Sequence, residues 1–118
     1  MKCQRGDVVL LDMPFAQGGG SKIRPGLVVQ SDHNNPRLTN TIVVAITRNI
    51  SRVREPTQLL IDLSTPAGQQ SGLLANSAVT CENLFTVGEN FIHRAVGSLP
   101  LTAMRQVDDC LKAALGIP

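Results

Sequence analysis

The sequence predicts a small, mainly β domain: an antiparallel barrel or strongly bent sheet with short helical turns, closed by one C-terminal α-helix. Short runs rich in Val, Ile, Leu and Thr follow one another from residue 7 to residue 96. The gaps between them are mostly too short for a crossover helix, which favours antiparallel pairing. After residue 100 the apolar spacing changes from alternation to the 3–4-residue helical repeat. Six or seven strands in about one hundred residues suit a small barrel.

The elements follow in order. Asp7–Met13, Gly26–Ser31 and Thr41–Thr47 are the first three strand candidates. Thr57–Leu63, Leu73–Thr80, Asn83–Val87 and Phe91–Val96 come after them. Turn chemistry separates the runs at Gly18-Gly19-Gly20, His33-Asn34-Asn35-Pro36, Pro66-Ala67-Gly68 and Gly88-Glu89-Asn90. A short helical turn fits near His33–Leu38. Met104, Val107, Leu111, Ala114 and Leu115 fall on one face of a final helix of about 13 residues. Thr102 suits its N-cap and Gly116 its stop. Asp7–Met13 and Thr41–Thr47 are apolar on both faces, so each is expected to be covered twice. The helix is one cover and a second copy of the chain is the other, which predicts a homodimer. Residues 1–118 read as one domain, with no repeat and no low-complexity segment.

Composition narrows the class. The 118 residues are 42% hydrophobic, which excludes a disordered chain. No apolar run approaches the ~18 residues of a membrane helix, and the N-terminus lacks a signal-peptide pattern. The expectation is a cytoplasmic protein with no membrane association. Cys3, Cys81 and Cys110 show no zinc or redox spacing and read as buried thiols. The formal net charge is only +2, but residues 1–60 carry eight Lys/Arg against four Asp/Glu, and residues 61–118 three against five. The cations Lys22, Arg24, Arg37, Arg48, Arg52 and Arg54 form the basic half, a field suited to a polyanion.

Two segments stand out for chemistry. Ser21-Lys22-Ile23-Arg24-Pro25 ends a glycine-rich loop with two cations, and Val43-Val44-Ala45-Ile46-Thr47 ends an apolar run with a hydroxyl. Arg5-Gly6-Asp7-Val8-Val9-Leu10, Arg24-Pro25-Gly26-Leu27-Val28-Val29-Gln30, Val43–Thr47 and Glu82-Asn83-Leu84-Phe85-Thr86-Val87 together resemble the MazF/PemK/Kid toxins, in order and spacing, over essentially the whole chain. The resemblance implies an SH3-like antiparallel β-barrel assembled as a homodimer. It implies a metal-independent, cofactor-free endoribonuclease that cuts single-stranded RNA at short sequences. It also implies a cognate antitoxin whose disordered tail covers the RNA groove, and contact with DNA only indirectly, through that complex. Arg24 matches the family's catalytic arginine, Thr47 its catalytic hydroxyl, and Glu82 an acidic residue that touches substrate. The chain departs from the pattern at three places: relatives often carry Ser where Arg48 stands, many carry Arg at the position of Phe85, and some at that of Thr80.

The chemistry implied is attack of a ribose 2′-OH on its own 3′ phosphate, leaving a 2′,3′-cyclic phosphate and a 5′-OH. Arg24 can grip two phosphate oxygens with its planar fork, and charge-assisted bonds strengthen as oxygen charge grows. Thr47 can hydrogen-bond the attacking or non-bridging oxygen. At pH 7 at most about one arginine in 10⁵ is neutral, so Arg24 is a poor general base but a serviceable acid. Glu82 is the other candidate base. Lys22, Arg48 and Thr80 are candidate phosphate contacts. Asn83 suits reading a base edge, or serves only a turn. Phe15 suits base stacking, or caps the core. His33 and His93 read as structural or solvent-facing. In-line attack favours a splayed single strand over a stacked duplex. Two other readings compete: a CcdB-like toxin acting on DNA gyrase, whose gyrase contact needs a tryptophan this chain lacks, and a non-catalytic RNA-binding barrel.

Overall fold

The computed structural model describes residues 2–13 and 22–118. Six strands form one sheet: β1 (Asp7–Met13), β2 (Lys22–Val28), β3 (Asn40–Thr47), β4 (Gln58–Ile61), β5 (Ser77–Gly88) and β6 (Ile92–Ser98). Their order is β4-β5-β3-β2-β1-β6, and each neighbouring pair is antiparallel. Two α-helices, α1 (Pro66–Ser71) and α2 (Leu101–Leu115), and a single 3-10 turn at Glu89–Phe91 complete the described fold. The sheet is strongly bent and barrel-like but not closed, because the edge strands β4 and β6 pair inward only.

The bend has a local cause. In the β3–β5 ladder Val44 pairs with Leu84, but its neighbour Ala45 pairs with Thr80. Cys81, Glu82 and Asn83 are therefore extra residues on β5, a large bulge that kinks the strand and redirects its side chains. The sequence shows this place as a break between two strands, Leu73–Thr80 and Asn83–Val87. The chain instead runs through as a single 12-residue strand, since the ladder resumes on the far side of the bulge. β2 also starts earlier than the apolar run suggests. Lys22–Pro25 extend it because the backbone of β1 offers partners from Met13 back to Leu10.

Each sheet face carries its own core. On one, Val8, Leu27, Val44 and Val79 are fully buried against Met104, Val107 and Cys110 of α2. On the other, Val9, Leu11, Val28 and Val43 pack with Phe85, Val87 and Ile92. The double burial expected of β1 and β3 is thus present within one chain. Phe85 is a core residue, 9% exposed, where many relatives are expected to carry an arginine.

The helix ends follow capping chemistry more closely than pattern reading suggests. α2 begins after Pro100 rather than Thr102: Leu99 N–H is taken by Gly6 O, and Met104 N–H already returns to Pro100 O. Gly116 stops it in the left-handed region as expected. α1 occupies a stretch that reads as a turn. Thr65 accepts from Gly68 N–H and Pro66 takes the first helical position. Gly72 ends α1 at φ +73°, and a Cβ there would come 2.1 Å from the Val96 carbonyl oxygen. That close approach ties the end of α1 to β6. Residues 32–37 form turns, as expected for His33–Leu38.

Candidate active site

The site opens where two strands part. β2 and β3 pair only at Gly26–Ala45, Leu27–Val44 and Val28–Val43. Lys22–Pro25 stay on β1, while Ile46 and Thr47 stay on β5. The divergence leaves a groove of about 1110 Å³, above the ~300–1,000 Å³ of pockets for drug-sized ligands. Lys22 and Arg24 line it from β2, Thr47 and Arg48 from the end of β3, Asn83 from the β5 bulge and Arg94 from β6. Among the described residues no Asp or Glu lines it, and none of its four cations is in an ion pair. An unopposed positive field of this kind concentrates anions.

Arg24 and Thr47, the two residues singled out for catalysis, share this groove. Thr47 Oγ1 accepts a hydrogen bond from Asn49 N–H at 3.1 Å. A hydroxyl has one donor and two acceptor sites, so this bond fixes the oxygen and leaves its O–H to donate to a bound oxyanion. Asn83 is held as well: its Nδ2 donates to Thr80 Oγ1 at 3.1 Å. Thr80 in turn donates to Ala45 O at 2.7 Å.

Two expectations meet a different geometry. Thr80 is 2% exposed and stands behind Asn83; both of its hydroxyl bonds are internal, so it positions Asn83 rather than meeting a ligand. Glu82, the candidate base, does not line the groove. Successive residues of an extended chain point to opposite sides, and the bulge aims Glu82 at β4. Its Oε2 accepts from Gln58 Nε2 at 2.7 Å and lies 3.2 Å from Arg52 Nη1. Burial by itself raises its pKa, but the Gln58 hydrogen bond and the Arg52 charge are among the contacts that leave the carboxyl below its usual range. A lowered pKa makes a weaker base. Phe15 and the Gly18-Gly19-Gly20 loop lie outside the described residues.

The histidines stay out of the groove. His93 Nε2 sits 3.1 Å from Asp12 Oδ1, and His33 is an exposed turn residue. All three cysteines are buried and free of disulfides, and burial, then the neighbouring Cys110, pushes the Cys81 thiol up to about 12. Sequence reading missed Arg94. It lies in the acidic half of the chain, and only strand register brings it to the groove.

A bent antiparallel sheet holding a guanidinium, a fixed hydroxyl and further cations in one groove defines a small β-domain with a cationic cleft. The family model for the PemK-like, MazF-like toxin of type II toxin–antitoxin systems matches residues 4–115, and the chain belongs to that family. A curated relative, the endoribonuclease MazF of Staphylococcus saprophyticus, is 31% identical over 117 residues, covering 97% of this chain and 92% of its own. The fold is similar to the Mycobacterium tuberculosis toxin MazF-mt6, with TM-score 0.77 and 21% identity over 95% of this chain and 98% of that one. It is similar also to a mycobacterial endoribonuclease solved in complex with its cognate antitoxin, with TM-score 0.75 and 22% identity over 98% and 97% of the two chains.

Proposed function

We propose that this chain is a toxin endoribonuclease that cuts single-stranded RNA without a metal. The observation that carries the reading is that Arg24 and Thr47 line one groove with Lys22, Arg48 and Arg94 and with no carboxylate among the described residues. Its support is the match in family and the endoribonuclease name of the staphylococcal relative.

The reaction is a transesterification within the RNA. The ribose 2′ oxygen attacks the adjacent phosphorus, the P–O5′ bond breaks, and the products are a 2′,3′-cyclic phosphate and a 5′-OH. Negative charge grows on the non-bridging oxygens in the transition state. Arg24 is a permanent cation with two parallel N–H donors for them. The Thr47 hydroxyl supplies a further donor whose oxygen is already anchored. Removing one such donor typically costs about 3–4 kcal/mol, roughly a hundred- to a thousandfold in rate. Arg24 also donates a proton to the leaving 5′ oxygen, and the proton released by the 2′-OH passes to water, from which the guanidinium regains its own. Asn83, fixed by Thr80, offers an amide to a base edge.

The partners proposed are single-stranded RNA, a second copy of the chain and an antitoxin whose acidic, disordered segment competes for the same cations. The test is incubation with a defined single-stranded RNA in excess chelator. Discrete cuts ending in cyclic phosphate are expected, and Arg24→Ala is expected to abolish them without unfolding the protein. RNA binding by the folded protein with no cutting would leave a non-catalytic RNA-binding domain in place of an enzyme.

A further inference from the structure

The groove has a second cationic wall. Leu10 of β1 pairs with Pro25 of β2 on one side and with Arg94 of β6 on the other. Residues in direct register share a face of the sheet. Arg94 therefore stands across β1 from Pro25, about 10 Å away at ~4.8 Å per strand spacing; Arg24, the next residue on β2, alternates to the other face of the strand, and it is the groove at the strand's end that both side chains line. The β1–β6 ladder shifts register between Val8 and Val9 and again between Leu10 and Leu11. These irregularities bracket Arg94, and bulges re-aim the side chains beside them. Arg94 is exposed, lines the groove, and has no ion pair among the described residues. Next to it the wall turns apolar. Val96 lines the groove from the same strand, Gly72 backs onto the Val96 carbonyl, and Leu74 stands 86% exposed.

A cation alone on a strand is ordinarily just solvated. Here three more cations line the same cleft with no acidic lining residue among the described ones, and an apolar surface lies beside the fourth. A nucleotide has that pair of chemistries, an anionic phosphate joined to an apolar base face. We propose that Arg94 binds the phosphate next to the scissile one, forming a second nucleotide subsite whose base lies against Leu74 and Val96. The inference rests on the groove being the RNA site. The strand then crosses β1 from the Arg24 wall to the Arg94 wall. Arg94 is distant from the reacting atoms and holds its phosphate equally in ground and transition states. Such uniform binding acts on KM and leaves kcat alone.

Binding is measured by titrating a mixed-sequence single-stranded RNA into the Arg24→Ala protein, which is expected to hold RNA without cutting it, at several salt concentrations. Adding Arg94→Gln is expected to weaken binding several-fold and to reduce the slope of log K against log salt by about 0.7, the share of one phosphate on a single strand. Arg94→Lys in the same background is expected to restore the slope. With Arg24 present, Arg94→Gln is expected to raise KM about tenfold with kcat within about twofold. An unchanged slope, with RNA still bound, overturns the Arg94 subsite alone. Failure of the Arg24→Ala protein to bind RNA at low salt, with its fold intact by circular dichroism, overturns the groove reading and this inference together. A fall in kcat at unchanged KM also refutes the subsite.

Discussion

At the residue scale the proposed chemistry rests on two groups, the guanidinium of Arg24 and the hydroxyl of Thr47. Because Asn49 N–H already holds that oxygen at 3.1 Å, Thr47→Val removes the donor with little change in shape. A hydrogen bond to a charged group is worth about 1.5–3 kcal/mol, so cleavage is expected to slow by roughly 10- to 150-fold. Single-turnover kinetics on a defined RNA checks this; a rate within twofold of wild type excludes Thr47 from the reaction. Arg24→Lys keeps the charge but loses the planar fork, and is expected to recover only part of the rate lost in Arg24→Ala. Both residues were legible as candidates from the motifs that carry the family resemblance, Arg24 before Pro25 and Thr47 at the end of Val43–Thr47, and the fold brings both to the groove. Glu82 and Thr80 were legible as polar residues near the site, but not in their direction. Three extra residues on β5 decide that direction, and a bulge leaves no period in a sequence. Arg94 was hidden for a similar reason, since its address is a register position opposite Leu10.

Elements hold the walls of the groove apart, and their contacts were partly legible. Apolar runs and turn residues gave most strands and the final helix. α1 was not seen because six residues are too few for a helical repeat to show. Its signal was the Thr65-Pro66 pair, an N-cap followed by proline. Thr65→Ala is expected to cost about 0.5–2 kcal/mol of stability, measured by urea denaturation. The junction of α1 with β6 is tighter. A Cβ on Gly97 would come 2.4 Å from the Gln70 and Ser71 carbonyl oxygens, and backbone cannot yield cheaply. Gly97→Ala is expected to push α1 from β6, lowering Tm and displacing the Leu73–Leu74 wall. RNA binding then weakens even at temperatures where the protein stays folded. A variant with normal Tm and normal RNA affinity would show that this contact does not position the groove.

Charge distribution and protonation act on the whole molecule. The net charge is small, yet the groove is cationic because many carboxylates are spent elsewhere. Asp32 accepts from Arg5 N–H and Asn35, Glu55 from Arg52, Asp62 from Ser64, and Glu82 from Gln58. Hydrogen bonds, from backbone Arg5 N–H for Asp32, from the Arg52 side chain for Glu55 and from Ser64 N–H for Asp62, hold these three carboxyls below their usual ranges. Glu82 is lowered too, against its own burial. A carboxyl whose folded pKa lies below its unfolded one stabilises the fold fully above the unfolded value, about 3.9–4.3. That contribution is lost as pH falls through the folded value. Tm is therefore expected to be nearly flat from pH 8 to about 5 and to fall steeply below about 4. Asp32→Asn keeps an oxygen to accept the Arg5 and Asn35 bonds but cannot titrate, so the acid limb should become shallower while the neutral plateau drops slightly. Differential scanning calorimetry across that range checks it. A limb of unchanged steepness in Asp32→Asn would assign the acid sensitivity to the other three carboxylates.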